Sequence, residues 1–200
     1  MTLLLALPAA AALAVLALPL IATLFHYGRF SAEDAWMTRE ALVAYSLGLV
    51  GMILVKILAP GFYARQNVVT PVKIGLLTLA ATQAMNFAFI GPFKHAGLAL
   101  AIGLGACLNA WLLYSMLRKR NIYTPEPGWL AFTLKVGASV LAMAAALGAV
   151  MAPAPVWLAA DWPWKLGSLA SLVLLGIAVY GACLLALGFR PRHFAMRGAD

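Results

Sequence analysis

Residues 56–73 read K-I-L-A-P-G-F-Y-A-R-Q-N-V-V-T-P-V-K, a short basic hinge between two long apolar runs. Hydrophobic residues make up 64% of the chain and charged residues only 10%, and the mean hydropathy is +0.95. A soluble domain has fewer apolar residues and more charged ones. These values predict a polytopic membrane protein in which the hinge joins two transmembrane helices.

Apolar runs of about 20 residues, the length that crosses about 30 Å of hydrocarbon, set the predicted architecture. The sequence has six of them, at 3–25, 41–62, 72–90, 97–117, 129–150 and 166–187. We therefore predict an all-α fold, a polytopic transmembrane bundle with six spans. The connections are too short to bury a core of their own, so no soluble module is expected. Pro19 lies inside the first run and should kink that helix.

The distribution of positive charge predicts how this bundle is oriented. Eight Lys and Arg residues fall on one side of the six spans: Arg65, Lys73, Arg118, Lys119, Arg120, Arg190, Arg192 and Arg197. The opposite side has four: Arg29, Arg39, Lys94 and Lys165. Because short cytoplasmic loops are enriched in Lys and Arg, both termini are predicted to be cytoplasmic. The net charge of +8 is thus assigned to the membrane surface, and no nucleic-acid partner is expected.

Local signals predict how several helices begin. Ser31 and Asp34 have the spacing of a capping box, which indicates a short amphipathic helix leading into the second span. The two basic loops, 67–71 and 121–125, both read N-x-x-T-P, and Thr is expected at the N-cap with Pro as the first helical residue. This similarity fits either shared helix-start chemistry or a two-helix repeat.

Small and aromatic residues predict packing. The fourth span carries small residues and an Asn at four-residue intervals, a pattern that lets a neighbouring helix come close: Gly97, Ala101, Gly105 and Asn109. Asn109 should add an interhelical hydrogen bond. Before the sixth span, three tryptophans are expected to anchor the loop in the outer interface, with an aromatic sugar-binding platform as the alternative: Trp157, Trp162 and Trp164.

Three stretches of the sequence resemble one family of transporters. They are the hinge itself, N-F-A-F-I-G-P-F-K-H-A-G-L at 86–98, and L-P-A-A-A-A-L-A-V-L-A-L-P-L-I-A-T-L-F-H-Y-G-R-F at 7–30. In these stretches the chain resembles the MurJ/MviN lipid II flippases of the MOP exporter superfamily. Members of that family are longer, and this chain matches their last six spans. The chain therefore looks like the carboxy-terminal part of a MOP-type transporter fold.

The resemblance implies a domain organisation and a function. Residues 1–125 would be the latter four helices of the carboxy-terminal lobe, and 126–200 two additional helices with a basic cytoplasmic tail. The family carries undecaprenyl-diphosphate-linked disaccharide pentapeptide, lipid II, across the bacterial inner membrane for peptidoglycan synthesis, cell wall organisation and cell shape. The last two helices would form a groove for the lipid tail. The implied partners are lipid II or a related lipid-linked oligosaccharide, membrane lipids and the missing amino-terminal half of the transporter.

Two other functions are compatible with the residues. One is export of another lipid-linked glycan or of small molecules, and the other is a non-transporting membrane scaffold. No acid is predicted within a span, and no catalytic constellation, cofactor motif or metal-ligand cluster is present in the sequence. The chain is therefore expected to be a transporter component and not an enzyme. Cys107 and Cys183 both fall inside predicted spans and are expected to be packing residues.

Four basic residues are candidates for substrate binding: Lys56, Arg65, Lys73 and Lys135. Lys56 and Lys135 each lie about 9 Å inside the cytoplasmic end of a span, at 1.5 Å per residue. Their side chains would either reach back to the headgroup region or attract the diphosphate of the substrate that the resemblance implies.

Three polar residues in the third span are candidates for lining a cavity. Thr82, Gln83 and Asn86 cluster within about one helical turn, and polar groups at membrane depth need partners. Interhelical hydrogen bonds are the simpler interpretation, and a central hydrated cavity or a weak cation site is the alternative. Because no acid accompanies them, a sodium site built from these residues alone would lack an anchoring charge.

Overall fold

The structure, a computed structural model, describes residues 2–123 and 128–188. These residues form seven helices: α1 Thr2–Val15, α2 Ala17–Leu24, α3 Ala32–Tyr63, α4 Val69–Lys119, α5 Trp129–Val150, α6 Ala154–Ala159 and α7 Trp162–Ala186. Four of them, α3, α4, α5 and α7, are long and apolar enough to cross a membrane, and the bent pair α1 and α2 makes a fifth if it is one span. The predicted all-α transmembrane bundle is confirmed.

Helix α4 reverses direction at Lys94. This residue has φ 47° and ψ −122°, which is not helical backbone. A straight helix of 51 residues would be about 77 Å long, and Gly97 would lie about 12 Å from Phe89. Instead, a methyl group built on Gly97 would overlap the Phe89 carbonyl, and one built on Gly105 would overlap the Thr82 hydroxyl. The two halves of α4 are therefore an antiparallel pair.

We call residues 69–93 α4a and residues 95–119 α4b. The third and fourth predicted spans, 72–90 and 97–117, each fall within one of these halves. By length and composition the chain has four or five candidate spans, since α4 counts as one helix. The number six thus stays a prediction, which the reversal at Lys94 supports.

The kink predicted for the first span is present between α1 and α2. Their axes differ by 69°, and the break falls at Leu16, one turn before Pro19. Pro19 has no N–H to donate to the carbonyl four residues earlier, and its ring clashes with that turn. The Thr23 hydroxyl donates to the Pro19 carbonyl at 2.6 Å. The proline therefore explains the position of the bend.

Helix α3 begins with the predicted capping box. Ser31 Oγ accepts from the Asp34 N–H at 3.2 Å, and the Asp34 carboxylate accepts from the Ser31 N–H at 2.9 Å. The carboxylate also accepts from the Ser31 hydroxyl at 2.7 Å, and this bond, followed by the one from the Ser31 N–H, holds the pKa of Asp34 below its ordinary value. Asp34 precedes the predicted span at 41–62. The short helix predicted to lead into the second span forms the first turns of α3, because no Gly or Pro interrupts 32–41 and α3 continues to Tyr63.

Two buried apolar clusters hold the bundle together. The first joins α3 to both halves of α4 through Phe62, Ile74, Leu113 and Leu117. The second joins the remaining helices, through Leu16, Ala22, Met143, Leu147, Trp157, Leu172 and Tyr180. Helix α1 packs on both α3 and α5 and so connects the two clusters. The predicted boundary at 125 remains a prediction, and the second cluster includes residues on both sides of it.

One face of α4b packs on α4a through the predicted stripe of small residues. Gly97, Ala101 and Gly105 are all buried. Gly97 lies against Phe89, and Gly105 against Thr82. The absence of side chains on this face lets the two halves of α4 approach closely, as small residues do between transmembrane helices.

The opposite face of α4b packs equally closely on α3. A Cβ added to Gly103 would lie 3.1 Å from Gly48 Cα, and one added to Gly51 would lie 2.6 Å from the Cys107 backbone nitrogen. The Cys107 thiol donates to the Leu47 carbonyl at 3.8 Å. This second stripe was not predicted from the sequence. It places α4b between α3 and α4a, with close backbone contacts on both sides.

Candidate functional site

Three of the four basic candidates lie at one end of the pair formed by α3 and α4a. Arg65 is in the turn between the helices, Lys56 lies about 10 Å before the end of α3, and Lys73 lies about 6 Å after the start of α4, at 1.5 Å per residue. All three side chains are exposed. The structure therefore brings them to the same end of the bundle and leaves their charges accessible.

The turn that carries Arg65 is held by hydrogen bonds from the hinge sequence. Gln66 has φ 55°, and its N–H donates to the Tyr63 carbonyl at 2.9 Å. Asn67 Oδ1 accepts from the Thr70 N–H at 3.2 Å and from its hydroxyl at 3.1 Å. The prediction of Thr70 as the N-cap is therefore wrong, because α4 already begins at Val69 and the Asn67 side chain accepts from the Thr70 N–H. The second copy of the motif, 121–125, lies partly outside the described residues.

Lys135 lies on α5 and has a partner within the protein. Its Nζ donates to the Leu187 carbonyl at 3.0 Å, and Leu187 is the residue that ends α7. A cation is favourable there because the last carbonyls of a helix carry partial negative charge. The structure thus places Lys135 on a different helix pair from the other three cations, and it ties the end of α7 to α5.

The polar candidates of the third span bond within α4a. Asn86 Nδ2 donates to Gln83 Oε1 at 3.2 Å, and the Thr82 hydroxyl donates to the Thr78 carbonyl at 2.8 Å. Gln83 is exposed, whereas Thr82 faces Gly105 of α4b. The prediction of interhelical hydrogen bonds is therefore wrong for Thr82 and Asn86 among the described residues. Each side chain bonds instead to a residue three or four positions earlier in its own helix, which is nearer than a neighbouring helix.

Two amide oxygens along the α4 hairpin are buried without a hydrogen-bond partner among the described residues. They are Asn86 Oδ1 on α4a and Asn109 Oδ1 on α4b. The interhelical bond predicted for Asn109 is therefore not formed by this oxygen. Within residues 2–123 and 128–188, no group of three His, Cys, Asp or Glu side chains could hold a metal ion.

Two residues near the start of α7, which the sequence places in an exposed interfacial loop, are buried in the structure. Trp157 is 1% exposed and packs edge to face on Trp164, whereas Trp162 is 53% exposed. Trp157 is therefore a core residue and not an interfacial anchor, because the short helix α6 folds it inward. Lys165 was counted as a loop charge, but it is 3% exposed and lies 5.5 Å from the centre of the Tyr27 ring. No local sequence signal marks either burial.

A comparison with protein families decides what this bundle is related to. The family model described as "Lipid II flippase MurJ" matches residues 1–175. The chain belongs to this MurJ family. The resemblance seen in the three quoted stretches is therefore confirmed over most of the chain.

Individual members of the MurJ family show the same relationship. The lipid II flippase MurJ of Burkholderia cenocepacia is 43% identical over 205 residues, covering 98% of this chain and 38% of that protein. The probable lipid II flippase MurJ of Haemophilus influenzae is 39% identical over 193 residues, covering 96% of this chain and 38% of that protein. This chain thus spans about two fifths of the length of these relatives.

A solved structure confirms the MurJ-type fold. It is described as "Lipid II flippase MurJ, inward closed conformation" and superposes with a TM-score of 0.75 at 21% sequence identity. The match covers 91% of this chain and 36% of the other. Together with the apolar helices, family membership makes this a multi-pass protein of the inner membrane.

Proposed function

We propose that this chain contributes to a lipid II flippase. The polar headgroup, a disaccharide pentapeptide on a diphosphate, would pass through the protein interior while the undecaprenyl tail stays in lipid. Alternating access, in which one bundle rocks against another around the substrate, moves the headgroup without covalent chemistry. The chain then serves a transporter and not an enzyme. The match of the MurJ family model to residues 1–175 carries this proposal.

The proposed topology has six spans with both termini in the cytoplasm. The reversal at Lys94 supports separate third and fourth spans, because α4a and α4b are antiparallel. The hinge cations Arg65 and Lys73 then face the cytoplasm, as the positive-inside rule requires. The basic tail, 189–200, lies outside the described residues.

The proposed organisation assigns 1–125 to the carboxy-terminal lobe and 126–200 to two additional helices with their tail. Helices α5 and α7 pack directly on one another. Their outer faces expose large apolar side chains at Leu130, Leu134, Leu141, Leu174 and Ile177. Such faces suit lipid, and we propose that this helix pair borders the groove for the lipid tail.

The proposed headgroup contacts are the exposed cations at the hinge end. Lys56, Arg65 and Lys73 can approach a diphosphate without breaking an internal bond, whereas Lys135 would have to release the Leu187 carbonyl. We further propose that Thr82, Gln83 and Asn86 line a hydrated cavity or a weak cation site. The unpartnered Asn86 Oδ1 supports this proposal, since a water or a cation would satisfy it.

The test is rescue of a bacterial strain depleted of its lipid II flippase. This chain is expressed alone or together with the amino-terminal half of a relative, and membrane insertion is verified in both cases. Rescue that requires both halves supports the proposed role and identifies the other half as the partner. Failure of both arrangements despite insertion would favour the scaffold, and rescue of a different lipid-linked glycan pathway would favour the alternative exporter.

A matched pair of variants tests the hinge cations in the same assay. Arg65→Gln with Lys73→Gln removes two charges from the hinge, and Arg118→Gln with Lys119→Gln removes two from the end of α4b. Loss of rescue by the first pair alone supports headgroup attraction at the hinge. Equal rescue by both pairs would contradict it.

A further inference from the structure

A cleft of about 300 Å³ lies at the end of the bundle opposite the hinge. One wall is the start of α3, with Glu33, Met37 and Glu40. These residues have the spacing i, i+4 and i+7, so they lie on one face of the helix. The other wall is the reversal of α4, formed by Pro92, Phe93, Lys94, His95 and Ala96.

The two walls carry opposite charge. Glu33 and Glu40 make the α3 wall acidic, whereas Lys94 gives the α4 wall a positive charge and His95 adds an imidazole N–H donor beside it. All four side chains are exposed, and in the described residues none of the four forms an ion pair within 4.0 Å. The charges of Glu33, Glu40 and Lys94 and the His95 imidazole are therefore free to meet a ligand that enters between the walls.

The composition of the cleft restricts the ligand. Among the described residues no His, Cys, Asp and Glu group has metal-binding geometry, so the two carboxylates and His95 do not make a divalent cation site. A lone phosphate or diphosphate would approach Lys94 but would be repelled by both carboxylates. A simple amine would be attracted to the α3 wall and repelled by Lys94. A ligand with one positive and one negative group can be attracted by both walls, with its cation at the glutamates and its anion at Lys94.

The α4 wall is held in place by an unusual backbone. Lys94 has φ 47° and ψ −122°, a region that L-residues with a Cβ rarely adopt. Such conformations cost about 1–3 kcal/mol and persist where surrounding packing fixes them. Here the close contact of Gly97 with Phe89 fixes the two arms of the reversal. The Lys94 side chain is thereby presented at the cleft and not along a helix.

We propose that this cleft binds a zwitterionic group, a primary ammonium joined to an anion, with the ammonium at Glu33 and Glu40 and the anion at Lys94 and His95. This inference rests on the proposed function, in which the cleft lies on the outer side and the peptide stem of the headgroup supplies both charges. A phosphatidylethanolamine headgroup has the same chemistry. The experiment therefore separates the two sources.

The experiment measures peptide binding to the whole chain in nanodiscs of phosphatidylglycerol, by isothermal titration calorimetry. The probe is N-acetyl-lysyl-alanyl-alanine, which has one side-chain ammonium and one carboxylate. Two blocked probes carry an acetylated lysine or a C-terminal amide. Wild type should bind the zwitterionic probe about tenfold more tightly than either blocked probe, as expected for two exposed ion pairs.

Variants assign each charge to its wall. Glu33→Gln with Glu40→Gln should remove the preference for the free ammonium, and Lys94→Gly with His95→Gln should remove the preference for the free carboxylate. Glycine adopts a positive φ without steric penalty, so the substitution at 94 adds no backbone strain. Loss of binding by that variant would therefore result from loss of the side chains. Arg39→Gln is the control, since Arg39 stacks on Trp36 at 5.1 Å and does not line the cleft.

The outcomes distinguish this proposal from the flippase proposal, because binding is measured without translocation. Equal binding of all three probes by wild type, or no saturable binding of any probe, would overturn the zwitterion site whatever the rescue assay shows. A tenfold loss of peptide affinity on adding phosphatidylethanolamine to the nanodiscs would support the site and identify the lipid as its occupant. Unchanged affinity would support the peptide stem.

Discussion

At the scale of single residues, Lys135 shows how a charge predicted for substrate binding can also serve the fold. Its ammonium reaches across from α5 to the Leu187 carbonyl at 3.0 Å. Helices leave their last carbonyls without an internal donor, and a lysine near that end satisfies one of them. The sequence predicted the depth of Lys135 in its span but could not reveal this partner, which lies 52 residues away.

Replacing Lys135 with Met should loosen the end of α7. The variant keeps the apolar stem and removes the donor, so the Leu187 carbonyl loses its bond, at a cost of about 1 kcal/mol. Hydrogen exchange measured by mass spectrometry should become faster over the last turn of α7, and the unfolding temperature in detergent should fall by a few degrees. Lys135→Arg, which retains a donor, is the control. Unaltered exchange in the Met variant would argue against this capping role.

At the scale of the helices, the α4 hairpin and its neighbour α3 form a layered unit with α4b in the middle. Gly97 and Gly105 face α4a, and Gly103 and Cys107 face α3. The two stripes are offset by two residues, which is about 200° around a helix, so they lie on opposite faces. Close backbone approach on both faces requires small residues at both.

A larger residue at Gly51 should break the contact between α3 and α4b. A Cβ there would come within 2.6 Å of the Cys107 backbone nitrogen, and backbone cannot move aside as a flexible side chain can. We expect Gly51→Val to destabilise the protein by about 1–3 kcal/mol. The matched control is Gly75→Val, since nothing lies within 4 Å of that site. Thermal unfolding in detergent compares the two, and equal stability would refute the close contact.

Removing Pro19 should straighten the first span. With Ala at this position the lost N–H is restored, and α1 and α2 can continue as one helix. Spin labels at Leu5→Cys and Leu24→Cys, both exposed sites, should then be about 28 Å apart at their Cα atoms, as in a straight helix. The labels are placed in a chain with Cys107 and Cys183 replaced by Ala. A distance unchanged from that of the bent parent would show that packing, and not proline, sets the bend.

Much of this element structure could be predicted from the sequence, and the failures have a common cause. Apolar run lengths, Pro19 and the Ser31 capping box are local features of the sequence, so the apolar helices, the kink and the cap were predictable. The contact of Gly48 with Gly103 depends on which helices become neighbours, and so does the burial of Trp157 and Lys165. The prediction of an interhelical hydrogen bond for Asn86 was wrong for the opposite reason, since Gln83 on the same helix is a nearer partner than any residue of a neighbouring helix.

At the scale of the whole molecule, the distribution of charge predicts its orientation in the membrane. The turn at Arg65 lies at one end of the bundle, and the cleft at Lys94 lies at the other, since α3 and α4a run between them. Single cysteines at Ala64 and at Arg29, both exposed, report on these two ends in a chain without Cys107 and Cys183. A membrane-impermeant thiol reagent should label Arg29→Cys in intact cells and Ala64→Cys only after permeabilisation. The reverse pattern would contradict the proposed cytoplasmic termini.

The two glycine faces of α4b have a mechanical consequence. Side chains between helices normally act as a deformable layer that absorbs small shifts. Here backbone meets backbone between α4b and α3, and α4b meets α4a at the Phe89 backbone and the small Thr82 side chain. Sliding by a fraction of a turn would bring these close contacts into collision, so we expect α3, α4a and α4b to move together as a single stiff plate. The break at Leu16, where α1 and α2 differ in direction by 69°, is then the point at which the bundle can bend. Helix α1 packs on α3 of this plate and on α5 outside it. A ligand held at the cleft would therefore be mechanically coupled to the hinge cations at the far end of the same plate.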